Sequence, residues 1–240
     1  MIVTVYLPLL ATLPLAWLAP MLGRRCAPAV AARLLTFLAG LAALVTLGAL
    51  GLLMIGATLR RPELSREVAT QIADGDSVPA WLGALASVGL AAGLIRLGRI
   101  LARQRHAAQA LHHAIAAHTP GSDQELVVVP DSACHAFAVP GRCGGRGRIV
   151  VSTAMLRALD ASERRALLAH ERAHLRHRHH RHALLLAAAQ AVNPLLARLR
   201  AEGEFQIERW ADEHSAHTTS RPIAARSLAA AALHPGDGRD

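Results

Sequence analysis

Apolar residues gather into three stretches with no polar face: Ile2 to Leu22, Leu34 to Ala57, and Val78 to Leu97. A helix that is hydrophobic all round is either buried or in lipid, and roughly 20 residues suffice to cross a bilayer. These three stretches are therefore expected to be transmembrane helices, free of charge except for Arg96. From residue 99 the pattern changes. Residues 99–118 read as a polar helix continuing out of the third span and ending at His118-Thr119-Pro120-Gly121-Ser122. Two β-branched runs follow, Leu126 to Val129 and Arg148 to Ser152, separated by a loop holding Pro140, Gly141, Gly144, Gly145 and Gly147. That is a strand, loop, strand signal. Asp160 and Glu163 have capping-box spacing, so a helix is expected to start there and run on through the histidines.

Composition sharpens the picture. Of 240 residues 52% are hydrophobic, 18% charged and 3% aromatic, which excludes a disordered chain, while three cysteines exclude a disulfide scaffold. The net charge of +9 rests on 26 basic residues, all arginine. With no nucleic-acid-binding signature in the chain, direct nucleic-acid binding is not expected, and the arginines are read as flanking membrane spans on the cytoplasmic side. Arg24 and Arg25 follow the first span rather than precede it, so it reads as a retained anchor with its N-terminus outside. Arg96, Arg99, Arg103 and Arg105 meet no acid before Asp123, which places the rest of the chain in the cytoplasm. Cys134 and Cys143 are then expected as free thiols, with Cys26 at a membrane edge.

The sharpest motif is His170-Glu171-Arg172-Ala173-His174. Histidines at i and i+4 share one helix face and can ligate one zinc ion, while Glu171 stands beside the metal as the catalytic carboxylate. A catalytic zinc needs a third protein ligand. Glu204, Glu208 and Asp212 recur every fourth residue downstream; Glu208 is assigned as ligand and Asp212 as its neighbour's hydrogen-bond support, with Glu204, His214 and His217 as competitors. Arg209, His214 and His217 are the candidates for stabilising an oxyanion. The tract from His174 to His182 reads as a cationic belt on anionic headgroups, or else as a metal-loading cluster.

The runs Ile149-Val-Val-Ser-Thr-Ala-Met-Leu, Leu167-Leu-Ala-His-Glu-Arg-Ala-His, Asn193-Pro-Leu and Glu208-Arg-Trp-Ala-Asp212 together resemble the integral-membrane zinc peptidases of the BlaR/MecR type, over about residues 125–218. The HtpX and CAAX-prenyl-protease group is similar in its HExxH and Glu-x-x-x-Asp elements. The resemblance implies that His170, His174 and Glu208 bind one zinc, that Glu171 is catalytic and that Asp212 supports a ligand. It also implies a protein or peptide substrate, such as a cytoplasmic repressor. The β-lactam sensors of that family carry an extracellular penicillin-binding domain; here only Pro222 to Leu233 offers a further helix, so antibiotic sensing is not transferred.

The expected fold is a mainly α membrane protein: three transmembrane helices over 1–98, a juxtamembrane helix and linker over 99–124, and a small α+β zincin-like lobe with a short sheet over 125–220, followed by a tail at 221–240. If Ala183 to Leu196 crossed the bilayer, His174 and Glu208 would lie on opposite sides. At about 14 residues with Asn193-Pro194 inside, it is short for a span, and an interfacial or re-entrant hairpin is expected. The expected activity is zinc-dependent hydrolysis of peptide bonds at the cytoplasmic membrane face, with Leu126–Val129 or Arg148–Ser152 pairing with an extended substrate. Two other classes fit less of the pattern: a catalytically silent membrane transducer and a metal-handling membrane protein that uses the histidine tract.

Overall fold

A computed structural model describes residues 2–58, 79–118, 124–141 and 145–233. The chain divides into two compact units, one of residues 1–104 with 183–204 and one of 105–182 with 205–240.

In the first unit, α1 (Ile2–Arg25) packs on α2 (Pro28–Thr58), and the beginning of α3 (Ala80–His118) belongs to the same unit. The buried face of α2 is a seam of small residues, Ala31, Ala32, Ala39, Ala42, Ala43 and Ala49, joined by Leu35 and Leu53. Large side chains face outward, among them Phe37, Leu44 and Leu52 on α2 and Trp81, Leu85 and Val88 on α3. A water-soluble core would have this inside out, whereas helices associating in lipid put small residues at the contact. Among the described residues, two helices, α2 and α3, are long and apolar enough to cross a membrane. Of their most apolar stretches only 33% and 17% are buried in the protein. Expected span Ile2 to Leu22 is helical within α1.

The segment Ala183 to Leu196 does not run straight. Helix α6 (His179–Val192) stops at Asn193, a 3-10 turn over Pro194–Leu196 reverses the chain, and α7 (Ala197–Thr218) returns. Antiparallel pairing follows from two contacts: Arg200 donates to Gln190 at 2.9 Å, and a side chain at Gly203 would meet Leu186 at 2.7 Å. The turn is pinned by one residue. Asn193 Oδ1 accepts from the Leu195 amide at 3.0 Å, while its Nδ2 donates to the Thr46 hydroxyl of α2 at 3.1 Å.

The second unit is built on a three-stranded sheet of order β1 (Leu126–Val129), β3 (Arg148–Ser152), β2 (Ala136–Val139), with β3 parallel to β1 and antiparallel to β2. The two expected strands are β1 and β3; the stretch between them, read as loop, holds a third. Alternation divides the core: Ile149 and Val151 pack with Met155, Leu159 and Leu167 on one face, and Val127, Val139 and Val150 with Ile115 of α3 on the other. Ser152 caps the short α4 (Thr153–Ala158), its hydroxyl accepting from Met155 N at 3.1 Å. Asp160 and Glu163 form the expected capping box at the start of α5 (Ala161–Arg176), with bonds of 2.7 to 3.0 Å.

The helix does not run through all the histidines. It ends at Arg176, because Arg178 takes a left-handed conformation with φ 54° and turns the chain into α6. Beyond α7, α8 (Arg221–Leu233) packs on α5, where the Ser227 hydroxyl donates to the Glu163 carbonyl at 3.0 Å.

Candidate metal centre

Helix periodicity puts His170 and His174 on one face of α5, one turn apart, and Glu208 and Asp212 on one face of α7. The fold sets these faces together. Ser215 of α7 helps to dock the two helices, its buried hydroxyl donating to the Ala166 carbonyl at 2.7 Å. His170 Nε2 and His174 Nε2 stand 3.1 Å apart, and Glu208 Oε2 lies 3.5 and 3.6 Å from them. This is a triangle of two nitrogens and one oxygen that could hold a metal ion. Ligand atoms of a tetrahedral zinc, at about 2.0–2.2 Å from the metal, are about 3.3 Å from one another. The donor set and its spacing fit that ion. The side chains of His170 and His174 are 13% and 20% exposed while that of Glu208 is 59% exposed, so the triangle opens to solvent on the carboxylate side, where a water could stand.

The far nitrogen of each histidine faces its own partner. Asp212 Oδ1 is 3.0 Å from His170 Nδ1, a close charge contact that is not aligned as a hydrogen bond. His179 Nδ1 is 3.1 Å from His174 Nδ1. A histidine that gives Nε2 to a metal carries its proton on Nδ1. His174 can therefore donate to His179, provided His179 is neutral. Burial, and then the neighbouring His174, push the pKa of His179 down to about 3.

The sequence reading assigned His179 to a headgroup belt, and the structure corrects this. His179 is 1% exposed and packs with His177 against Trp210, ring centres 4.7 and 4.5 Å away. No local signal in the tract marks His179 out, since its burial comes from tertiary packing against Trp210 of α7.

Residues 101–205 match the Peptidase family M48 model. The match supports a metallopeptidase and contains the whole of α5. No curated protein and no solved structure matches. Glu208 and Asp212 lie just beyond the matched segment, and it is the geometry that brings them to the histidines.

Within this metallopeptidase-like centre, Glu171 is 8% exposed, and burial raises its pKa despite the opposing charges of His170 and His174. The amide of Ala138 on β2 donates to its carboxylate. Burial works against a charged His170, but Asp212 and Glu208 outweigh it and lift its pKa to about 9. The His170 and His174 rings beside it hold Glu208 well below the usual carboxylate range.

The other expected candidates have other neighbours. Glu204 pairs with Arg200 at 2.8 Å. Arg209 bonds Gln206 at 3.3 Å and lies over Phe205. His214 faces His177 and lines a cavity with Arg146, Arg172 and Arg176. Among the described residues, no contact brings Arg209, His214 or His217 to the ligand triangle. Cys26 and Cys134 are free thiols, and Cys143 lies outside the described residues.

Proposed function

We propose that the chain is a membrane-embedded, zinc-dependent endopeptidase that hydrolyses peptide bonds at the cytoplasmic face of the membrane. The observation that carries this reading is the triangle of His170 Nε2, His174 Nε2 and Glu208 Oε2, with the buried Glu171 beside it. His170, His174 and Glu208 would hold the ion. When bound, zinc polarises the scissile carbonyl and lowers the pKa of its water to about 7. Glu171 takes a proton from the attacking water on its carboxylate and returns it to the leaving amine. Its raised pKa suits that exchange. Asp212 and His179 keep the two imidazoles turned with Nε2 toward the ion.

Substrate pairing belongs to β2. Of the strands expected to accept an added one, Arg148–Ser152 is paired on both sides and has no free edge. The β2 strand lies against α5, and its odd positions bond β3, as His135 does to Ser152 at 2.9 Å. In an antiparallel pair the alternate residues, Ala136 and Ala138, then turn their backbone groups outward; the Ala138 amide is already given to Glu171, so a peptide would pair through Ala136 and the Ala138 carbonyl. An extended peptide along that edge passes Glu171.

The three-span arrangement, with the N-terminus outside, is part of this proposal and rests on the arginine asymmetry and the lipid-type packing of α2. Cleavage of a cytoplasmic repressor follows from the BlaR/MecR resemblance; an HtpX-like role would make damaged membrane proteins the substrate. The decisive experiment is zinc content with self-cleavage in detergent for wild type, Glu171→Ala and Glu208→Ala. One zinc per chain, kept in Glu171→Ala and lost in Glu208→Ala, with cleavage in wild type alone, supports the reading. Absence of zinc from all three overturns it in favour of a silent transducer, and several zinc ions per chain would favour metal handling by the histidine tract.

A further inference from the structure

A cavity of about 590 Å³ opens between the starts of β1 and β3, the end of α5, and α7, with Arg146, Arg148, Arg172, Arg176, His214 and Glu125 in its lining. Four arginines thus face a single acid, and that acid is already engaged: Glu125 Oε1 accepts from Arg172 Nε at 2.8 Å. Within the described lining, Arg146 and Arg176 then meet no other carboxylate. Arginines spread over a convex surface are simply hydrated, but a concave wall of one sign focuses its field and draws opposite charge into the space. The strand end is held close to the helix here, for a Cβ on Gly147 would meet the Leu175 side chain at 2.6 Å. Arg172 and Arg176 stand two positions after His170 and His174, about 200° round the helix. The cavity therefore lies on the flank of α5 turned away from the ligand triangle.

We propose that this cavity binds a phosphate-bearing anion at a site separate from the metal centre. The donor set is the reason. A guanidinium presents paired N–H donors that match two phosphate oxygens, and a phosphate monoester, with a charge of about −2 at neutral pH, balances two arginines at once. The arginines come from three places, the turn before β3, the start of β3 and the last turns of α5, and converge on one space. That favours one multiply charged group over a row of single carboxylates such as an acidic peptide carries. The volume falls in the range of small-molecule sites, about 300–1,000 Å³, so an organic group can enter with the phosphate. A soluble phosphate ester and a phospholipid headgroup both offer this chemistry.

The test is thermal unfolding of the full-length protein, in neutral detergent with added glycerol 3-phosphate, and in nanodiscs where phosphatidylglycerol replaces phosphatidylcholine. Glycerol is the uncharged blank. A ligand of the folded state raises the unfolding midpoint as its concentration rises. One or both phosphates are expected to do so, and Arg146→Glu with Arg176→Glu should weaken that binding about tenfold or more. Arg164→Glu with Arg165→Glu changes the net charge equally on α5 but outside the cavity lining, and should leave binding unaltered. An effect of glycerol 3-phosphate supports the site with a soluble ligand, and an effect of phosphatidylglycerol alone supports it with a headgroup. The site is overturned by a midpoint that neither phosphate moves, or by an effect that the first pair keeps or that both pairs lose, which is general charge attraction. A midpoint moved by hexaglutamate alone also overturns it, in favour of an acidic peptide. None of these measurements requires peptide hydrolysis, so the anion site stands or falls apart from the peptidase reading.

Discussion

His179 Nδ1 stands 3.1 Å from His174 Nδ1, and the contact exists because Arg178 adopts φ 54° between them. One left-handed residue thus turns a sequence neighbour of the metal helix back onto it. A residue other than glycine pays about 1–2 kcal/mol for that conformation. The expense is local, and what it gives the site is a buried acceptor for the proton on His174.

This relationship predicts that His179→Leu weakens zinc binding by 10- to 100-fold, the usual effect of removing a ligand's hydrogen-bond partner. His179→Asn keeps an acceptor and should recover part of the loss. Zinc affinities measured by competition with a chelator would test it; equal affinities for wild type and His179→Leu would show that the contact orients nothing.

Glu171→Gln preserves shape while removing the carboxylate base. Peptide hydrolysis should fall by 10² to 10⁴-fold, roughly the contribution of a positioned general base, with one zinc still bound. Initial rates on casein alongside metal analysis separate this from a folding defect.

Zinc affinity should depend on pH through His170. With its pKa at about 9 in the metal-free protein, His170 carries a proton at neutral pH that zinc must displace. The sign is therefore that affinity rises with pH, by about tenfold per unit between pH 7 and 9, and flattens above. The same raised pKa makes the His170 pairing with Asp212 and Glu208 a stabilising one below pH 6.5 that is lost as pH rises through 9. Affinities at pH 7, 8 and 9 that do not change would refute the coupling.

Asn193→Leu should lower the thermal stability of the helical hairpin in detergent. It removes the cap on Leu195 and leaves the Thr46 hydroxyl without the donor it has in Asn193, although that hydroxyl still bonds the Ala42 carbonyl at 2.7 Å. Hydrogen bonds between membrane helices couple by about 0.6 kcal/mol and up to about 1.7. A double-mutant cycle with Thr46→Val measures the coupling, and a value of zero would assign the whole effect to the cap.

Much of this was legible along the chain. The His170, Glu171 and His174 face follows from helical period alone, as do the Asp160 to Glu163 cap and the long apolar helices, because each depends on residues within a turn or on composition. The strands Leu126–Val129 and Arg148–Ser152 were legible from their β-branched runs. Ala136–Val139 was not, since two of its four residues are alanine and a strand so short exists only by pairing with Val150 and its neighbours. The end of α5 at Arg176 was equally hidden, for arginine at a left-handed position gives no local warning.

Sequence by itself determined which side chains could bind a metal and the helix face each would occupy, since these are matters of donor chemistry and of a period fixed by the backbone. Only the tertiary structure decided that Glu208, rather than Glu204, His214 or His217, meets the two histidines, and that His179 supports one of them. The reason is physical: choosing among donors 30 or more residues downstream depends on how a chain reverses and packs. Here that is settled by a turn at Asn193 and Pro194, a close approach at Gly203, and a single left-handed residue, none of which carries metal chemistry of its own.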